Sequence, residues 1–333
     1  MNLKIFQKPM DSSFTTSTSS LPQQEFLICR GYAMEDLIEV FEKDTNLGYN
    51  NTLLFLKRLL PNGEREAGDD LGGVLGDNLT EFWQDYFYNK CTLGTKTKIP
   101  YLRHDFGHIK WDAIGRILKV GYEQCGYFPL MLSRAFIHQA MYGTQVTWQT
   151  QHYILDDSLN FVNDSERDFL TKALQDFEQA DIDYVIEVLE DHKGRKIPKK
   201  ENIHQTIMEI VEKELMEEPM FVIDTWAHHL MKMGLTSAEL GIIYEKCKPT
   251  SKRVISMINC PSNMTESHKT VSKYLCKFVK ELETNMLGTF LRFMTGSDII
   301  CASKIEVTFG HLEGLSSCPA AHTCSGVVEL PED

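Results

Sequence analysis

Three neighbouring residues near the carboxyl end of the sequence have side chains suited to nucleophilic chemistry: His322, Thr323 and Cys324. A thiolate is a strong nucleophile, and an ordinary cysteine, with a pKa of about 8.5, is a few per cent ionised at neutral pH. The pattern predicts a short turn at Cys324, between a preceding strand and a strand at Val327–Leu330. Such a loop can hold a thiol at the surface and still aim it.

Two of these residues are candidates to assist the thiol. In an extended strand, residues 322 and 324 would share a face, so the imidazole of His322 could polarise the thiol or orient an incoming group. Thr323 offers a hydroxyl and a backbone N–H to a developing oxyanion. His322 could instead simply cap the turn.

Inert and metal-binding interpretations compete with the nucleophilic one. Taken alone, a cysteine in a loop is more often inert than catalytic. Cys318, His322 and Cys324, with Cys301 as a fourth, could also be zinc ligands. However, the spacing C-x3-H-x-C fits no common structural zinc pattern, and the sequence contains no CxxC pair. We therefore predict no metal and no cofactor.

Two other clusters favour structural roles. His104 and His108 are four residues apart, as in a helical metal pair, but Gly107 lies between them and no HExxH motif is present, which favours a loop before a helix. Residues 63–76 are rich in glycine but lack the Gly-Lys-Ser/Thr ending of a phosphate-binding loop.

The elements that must position Cys324 belong to an α+β pattern. Strands are predicted at Phe26–Cys29 and Lys304–Phe309. The glycine- and aspartate-rich residues 61–76 predict a loop that ends at Leu79. Thr236 and Glu239 have the spacing of a capping box and predict the start of a helix. Helices are predicted at Met34–Lys43, after Leu79 through Phe87, at Trp111–Tyr122, Ser133–Tyr142 and Asp157–Phe177, near residues 203–217 and 219–233, and at 265–283 and 284–293.

Composition narrows the class of protein. The 333 residues carry a formal net charge of −13, which argues against a nucleic-acid binder. No apolar run reaches the length of a membrane span, and no secretory signal is visible. The nine cysteines are scattered, as in an intracellular protein whose thiols stay reduced. A cytoplasmic or nuclear location is predicted.

Several sequence islands together resemble one family. The string Pro319-Ala-Ala-His-Thr-Cys324, followed by Leu330-Pro331, resembles the active-site signature of the HECT ubiquitin ligases. Further islands similar to that family, in family order, are Glu66–Val74 with Glu81-Phe82, Ala113–Leu118 through Leu130–Phe136, and Phe290–Ser297. The whole resembles a divergent HECT domain, similar to those of transposon-related animal genes.

The resemblance implies a function and a domain order. Cys324 would accept ubiquitin as a thioester from a ubiquitin-conjugating enzyme and pass it to a lysine of a protein substrate. Residues 8–24 are rich in Ser, Thr, Pro and Gln, a composition that predicts a disordered lead-in over residues 1–24. The resemblance places a larger, mostly helical N-lobe over 25–248. A hinge at 249–254 would join it to a small C-lobe at 255–333 that carries the cysteine loop.

Two departures from the family pattern keep a second function open. Ser325 stands where the family usually has an aromatic residue, and the family's final helix and tail have no counterpart after Leu330-Pro331. We expect such a C-lobe to expose apolar surface on its sheet. For the amine attack, the nearest acids in sequence are Glu329, Glu332 and Asp333. The alternative is a catalytically impaired module that binds a conjugating enzyme or ubiquitin.

Overall fold

The computed structural model describes residues 22–49, 52–66, 73–143, 148–310 and 318–332, without the side chains of 148–152. It is a mixed α+β structure, mostly helical with small sheets, as the sequence predicts. Most of the predicted lead-in lies outside the described residues, but a strand already begins at Gln23. None of the helices in the described ranges is long and apolar enough to cross a membrane.

The helices follow the apolar periodicity of the sequence. The α-helices are α1 (Ala33–Lys43), α2 (Gly73–Thr80), α3 (Tyr88–Lys90), α4 (His108–Cys125), α5 (Arg134–Tyr142), α6 (Trp148–Phe161), α7 (Asp164–Gln175), α8 (Ile182–Asp191), α9 (Ile203–Glu212), α10 (Met220–Met231), α11 (Ser237–Lys246), α12 (Ser251–Met257), α13 (Glu266–Glu281) and α14 (Thr284–Thr295). Wider π-helical turns occupy Glu81–Phe87 and Lys213–Glu217, and a 3-10 turn occupies Phe177–Gln179.

The strands form short ladders. They are β1 (Gln23–Cys29), β2 (Leu53–Leu59), β3 (Thr92–Leu93), β4 (Ile99–Pro100), β5 (Ile258–Asn259), β6 (Ile305–Gly310), β7 (Ala320–His322) and β8 (Val327–Pro331). β1 and β2 pair in parallel, and β3 pairs with β4 in antiparallel fashion. A four-stranded sheet has the order β5-β6-β8-β7, in which only the β7–β8 pair is antiparallel.

The chain divides into two compact units that do not follow the order of the predicted lobes. The first unit comprises Met1–Asp85, Arg116–Phe128 and Thr236–Asp333, and the second comprises Tyr86–Gly115 and Pro129–Leu235. The predicted hinge at 249–254 lies inside the first unit, where the Thr250 side chain accepts a hydrogen bond from the Arg253 amide and caps α12. The lobe boundary stays a prediction.

Two element boundaries predicted from the sequence are wrong. The loop predicted to end at Leu79 is already helical at Gly73, because α2 starts there despite two glycines. The single helix predicted over Asp157–Phe177 is two helices. Asn163 separates them, since its side chain accepts a hydrogen bond from the Glu166 amide while the Glu166 carboxylate accepts one from the Asn163 amide.

Other local predictions are confirmed. Thr236 and Glu239 form the predicted capping box at the start of α11. The helix predicted at 284–293 appears as α14, which Gly296 ends in the left-handed conformation with φ of 80°. The strand predicted at Lys304–Phe309 appears as β6, whose Ile305 and Val307 are buried.

The four-stranded sheet is covered on its apolar face. Ile305, Val307, Val328 and Leu330 pack into one hydrophobic core with residues of α12, α13 and α14. The opposite face is mixed: Glu306, Thr308 and Glu329 are polar, whereas Val327 and Pro331 are apolar and half-buried. The expectation that part of the sheet exposes apolar surface stays a prediction.

The second unit is built around large aromatic rings and includes a charged cluster at His192. Trp226 donates its indole N–H to the carbonyl oxygen of Trp111 at 2.8 Å, and both side chains are fully buried. His192, just after α8, has Nδ1 3.0 Å from both carboxylate oxygens of Glu214 and Nε2 3.6 Å from Glu166. The hydrogen bond to Glu214 is the main cause that raises the pKa of His192 above its usual 6.5.

The raised pKa predicts that His192 stabilises the fold at lower pH. A group whose pKa is higher in the folded state stabilises it fully below the unfolded pKa and loses this effect as pH rises through the folded pKa. We expect the stability lost in His192→Gln to be largest near about pH 6 and to shrink towards about pH 8. Thermal unfolding across this range measures it. His204→Gln, at an exposed position of α9, is the control, and equal pH profiles for the two variants would contradict the prediction.

Candidate functional site

Cys324 lies in the tight turn that joins β7 to β8, as the sequence predicts. The Ser325 amide donates to the His322 carbonyl at 3.0 Å, which makes Thr323 and Cys324 the central residues of a β-turn. The Gly326 amide donates to the Thr323 carbonyl at 3.4 Å, and Gly326 has φ of 63°. Two consecutive turn bonds and a left-handed glycine thus set the path of the backbone around the thiol.

The turn changes the geometry expected for His322. Because Cys324 lies in the turn and not in an extended strand, the rule that residues i and i+2 share a face does not apply to this pair. The His322 side chain is exposed, and its carbonyl also accepts a hydrogen bond from the Ser325 hydroxyl at 3.1 Å. Among the described residues, no hydrogen bond joins the imidazole to the thiol. The catalytic roles of His322 and Thr323 stay predictions.

Cys324 shares its degree of exposure with five other cysteines: Cys29, Cys125, Cys260, Cys276 and Cys301. Its side chain is half-buried, and Cys318, on the other side of β7, is exposed. Cys301 is also half-buried as a residue, but desolvation of its thiol raises the pKa of that thiol well above the usual value. Burial likewise raises the pKa of Cys247 to about 11. The two thiols near the hairpin are therefore easier to reach than those of the core.

The described part of the chain does not contain the side-chain clusters that the metal-binding interpretations require. There, no group of three or more His, Cys, Asp or Glu side chains is arranged to hold a metal ion. His104 lies in the loop before α4 and His108 is the first residue of that helix, as predicted, and both are exposed.

The acidic candidates for assisting an amine are not in the turn. Glu329 lies within β8, where it pairs with Ala320 and Thr308, and a Cβ added at Gly310 would lie 2.0 Å from its carboxylate oxygen. The backbone carbonyl of Glu332 accepts a hydrogen bond from the Ser267 hydroxyl at 2.6 Å. Asp333 is outside the described residues.

Helix α2 packs directly against the backbone of the Cys324 turn. A Cβ added at Gly73 would lie 2.7 Å from the Cys324 nitrogen and 2.8 Å from the Thr323 carbonyl oxygen, closer than Cβ atoms come to other atoms. On another side, a Cβ added at Gly296 would lie 2.4 Å from the Gly73 carbonyl oxygen. Gly73 is thus enclosed by the Cys324 turn and the end of α14.

Further along α2, polar contacts hold the same C-terminal segments. Asp77 accepts a hydrogen bond from the Arg292 Nε at 2.8 Å. The Thr80 hydroxyl lies 3.3 Å from the Gly296 carbonyl oxygen and 3.1 Å from Asp298 Oδ1. Burial is the main cause that raises the pKa of Asp298, and the hydrogen bonds from Tyr127 and Thr80 partly oppose the rise.

The role of α2 was missed in the sequence because residues up to 76 were interpreted as a loop. The signal was present in the spacing. Gly73, Gly76, Asp77 and Thr80 are separated as i, i+3, i+4 and i+7, which places small and polar residues on one helix face.

The turn geometry predicts an effect of substitution at Gly326. Alanine is strained at a φ of 63°, whereas asparagine tolerates this conformation, so Gly326→Ala should destabilise the hairpin by about 1 kcal/mol and Gly326→Asn by less. Hydrogen exchange of the amides between residues 320 and 331 should accelerate about fivefold in the alanine variant. Equal exchange in the two variants would show that the left-handed conformation is not what holds the turn.

Comparison with known proteins assigns no family to this arrangement. Neither models of known protein families nor curated proteins give a significant match to the chain. What the chain does must therefore be inferred from its own residues and their geometry.

Proposed function

We propose that this chain is a ubiquitin-protein transferase of the HECT type, in which Cys324 accepts ubiquitin from a conjugating enzyme and passes it to a substrate lysine. The observation that carries the proposal is the Cys324 turn: a half-buried thiol between two paired strands, with its backbone fixed by two turn bonds. The motif around it, Pro319-Ala-Ala-His-Thr-Cys324, supplies the resemblance.

The proposed reaction has two steps, each of which exchanges one bond to the ubiquitin carboxyl carbon. In the first, the Cys324 thiolate attacks the thioester carbonyl. A bond to Cys324 Sγ forms, the bond to the conjugating enzyme's sulfur breaks, and that sulfur leaves as a thiolate that takes up a proton. In the second, a lysine amine attacks, an amide bond forms and Cys324 leaves. The amine's proton passes to a base or to water.

The residues next to the thiol have positioning and electrostatic roles in this proposal. The Thr323 hydroxyl or backbone N–H would stabilise the oxyanion of the tetrahedral intermediate. The exposed His322 imidazole would contact the incoming ubiquitin tail. Thioester exchange is nearly isoenergetic, so positioning is the main contribution that the protein must make.

The lobes, partners and location belong to the same proposal. A larger N-lobe over 25–248 would hold the donor, and the C-lobe over 255–333 would move about the hinge at 249–254 to bring Cys324 from donor to acceptor. The partners would be ubiquitin, a conjugating enzyme and a protein substrate. We propose a cytoplasmic or nuclear location, where thiols stay reduced.

The transferase proposal predicts a covalent adduct that depends on Cys324. With ubiquitin, activating enzyme and a panel of conjugating enzymes, the wild type should form an adduct that reductant removes, because a thioester is cleaved by excess thiol. Cys324→Ala should abolish the adduct and Cys318→Ala should retain it. His322→Ala should slow its formation by about tenfold, since it would misplace the incoming tail. A non-reducing gel measures all four proteins.

The other outcomes of this experiment are informative. An adduct that persists in Cys324→Ala would contradict the assignment of the acceptor. A folded wild type that binds a conjugating enzyme or ubiquitin but forms no adduct would contradict the transferase and leave the impaired binding module. Reductant-resistant products in the same lanes would show that transfer to lysine also occurs.

A further inference from the structure

One face of α2 lies against the segments that carry and flank Cys324. Gly73 meets the Cys324 turn, Asp77 meets Arg292 of α14, and Thr80 meets Gly296 and Asp298. Along a helix these positions are i, i+4 and i+7, so they form one stripe. We call this stripe, with Gly76 between its members, the α2 seat.

The contact at Gly73 is the one that reaches the nucleophile. Its three nearest atoms are the nitrogen of Cys324 and the carbonyl carbon and oxygen of Thr323, all backbone atoms at 2.7 to 2.8 Å from an added Cβ. Backbone atoms of a hydrogen-bonded turn cannot rotate away as a flexible side chain does. Any side chain at residue 73 must therefore displace the turn, the helix or both.

The remaining contacts of the seat fix α2 relative to the segment before the sheet. Arg292 donates from Nε to Asp77 of α2 at 2.8 Å and from Nη1 to Asp85 of the following π-helical segment at 2.9 Å, so it contacts two points about two helical turns apart. Thr80 is fully buried and donates a hydrogen bond to the Asp298 carboxylate. The same carboxylate accepts a hydrogen bond from the Tyr127 hydroxyl at 2.8 Å. The helix that touches the turn is therefore itself held at its far end.

We infer that Gly73 is a positioning residue for Cys324, and that the α2 seat sets the place from which the thiol reacts. The claim that Gly73 positions the acceptor cysteine rests on the proposed function. The claim that Gly73 controls the exposure of the Cys324 thiol can be measured without ubiquitin. The three atoms nearest to a Cβ added at Gly73 belong to the Thr323–Cys324 peptide group and not to the thiol, so the role is one of positioning.

The chain offers a matched control in the same helix and on the same face. At Gly76 an added Cβ would lie 3.5 Å from its nearest neighbour, the Gly296 carbonyl oxygen, which is ordinary van der Waals contact. Alanine has the higher helix propensity at both positions. Gly73→Ala and Gly76→Ala thus share their effect on the helix and differ in the clash with the Cys324 turn.

The first measurement is the rate at which iodoacetamide alkylates Cys324 in the full chain. Both Cys318 and Cys324 lie on the single tryptic peptide Ile305–Asp333, so fragment masses give the two rates together, with Cys318 as an internal reference. We expect Gly73→Ala to raise the ratio of the Cys324 rate to the Cys318 rate by about threefold or more, because the displaced turn exposes the half-buried thiol. Gly76→Ala should leave the ratio within about 1.5-fold of wild type.

A change confined to the ratio separates positioning from loss of structure. An unchanged ratio in Gly73→Ala would overturn the inference, as would an equal change in Gly76→Ala. A parallel rise at both cysteines, which leaves the ratio unchanged, would indicate general loosening and would also overturn it.

A second pair of variants decides the matter if Gly73→Ala does not fold. Thr80→Val keeps the shape of the side chain and removes the hydroxyl that meets Gly296 and Asp298, whereas Thr80→Ser keeps the hydroxyl. We expect the valine variant to raise the alkylation ratio about twofold and the serine variant to restore the wild-type value. If Thr80→Val had the wild-type alkylation ratio, the inference that the α2 seat positions the thiol would be overturned.

Thioester formation then tests the consequence for the proposed reaction. In Gly73→Ala, the maximal rate of adduct formation should fall by about tenfold, while the conjugating-enzyme concentration at half-maximal rate stays unchanged, because the residue positions the thiol and binds no partner. An unchanged maximal rate would overturn the positioning role. Absence of an adduct in the wild type would contradict the proposed function alone, since the alkylation ratio is measured without ubiquitin.

Discussion

The packing of backbone against backbone at Gly73 constrains the whole region around Cys324. Three segments distant in sequence meet there: the start of α2, the end of α14 at Gly296 and the turn between β7 and β8. Each approaches so closely that a Cβ at residue 73 or residue 296 would overlap main-chain atoms. Glycine alone lacks a Cβ, so these close approaches require glycine at both residues.

A charged network fixes α2 on its other side, within the same unit. Arg58 of β2 is almost fully buried and forms ion pairs with Glu81 and Asp77. The Arg58 Nη2 lies 2.8 Å from an Asp77 carboxylate oxygen, but the two atoms are not aligned for a hydrogen bond. Glu81 also accepts hydrogen bonds from the amides of Gly31 and Ala33, at the start of α1. A buried guanidinium costs desolvation energy, which two carboxylates offset. Asp77 thus connects Arg58 to Arg292, and so β2 to α14.

Local chemistry made part of this fold predictable and left another part hidden. The Cys324 turn, the Thr236–Glu239 capping box and the end of α14 at Gly296 depend on residues within a few positions of one another, so the sequence alone indicates them. The helix at Gly73 and Gly76 packs against residues 220 to 251 positions later in the chain. Glycine has a low helix propensity, and tertiary packing overrides it here. The only local sign of these long-range contacts is the spacing of Gly73, Gly76, Asp77 and Thr80 along one helix face.

The strength of the α2 seat would suit the cysteine of the proposed transferase, which has to move between a donor and an acceptor. Its polar part consists of a partly exposed Arg292–Asp77 pair and the hydrogen bonds of Thr80, and such interactions contribute about 1 kcal/mol each. The close packing at Gly73 adds dispersion contacts but no large apolar side chain. A seat of a few kcal/mol leaves the unseated turn as a minor state, at about 0.1 to 10 per cent of molecules. In the proposed transferase, the thiol would therefore be held firmly enough to be aimed, and a partner that binds the unseated form better could still release it.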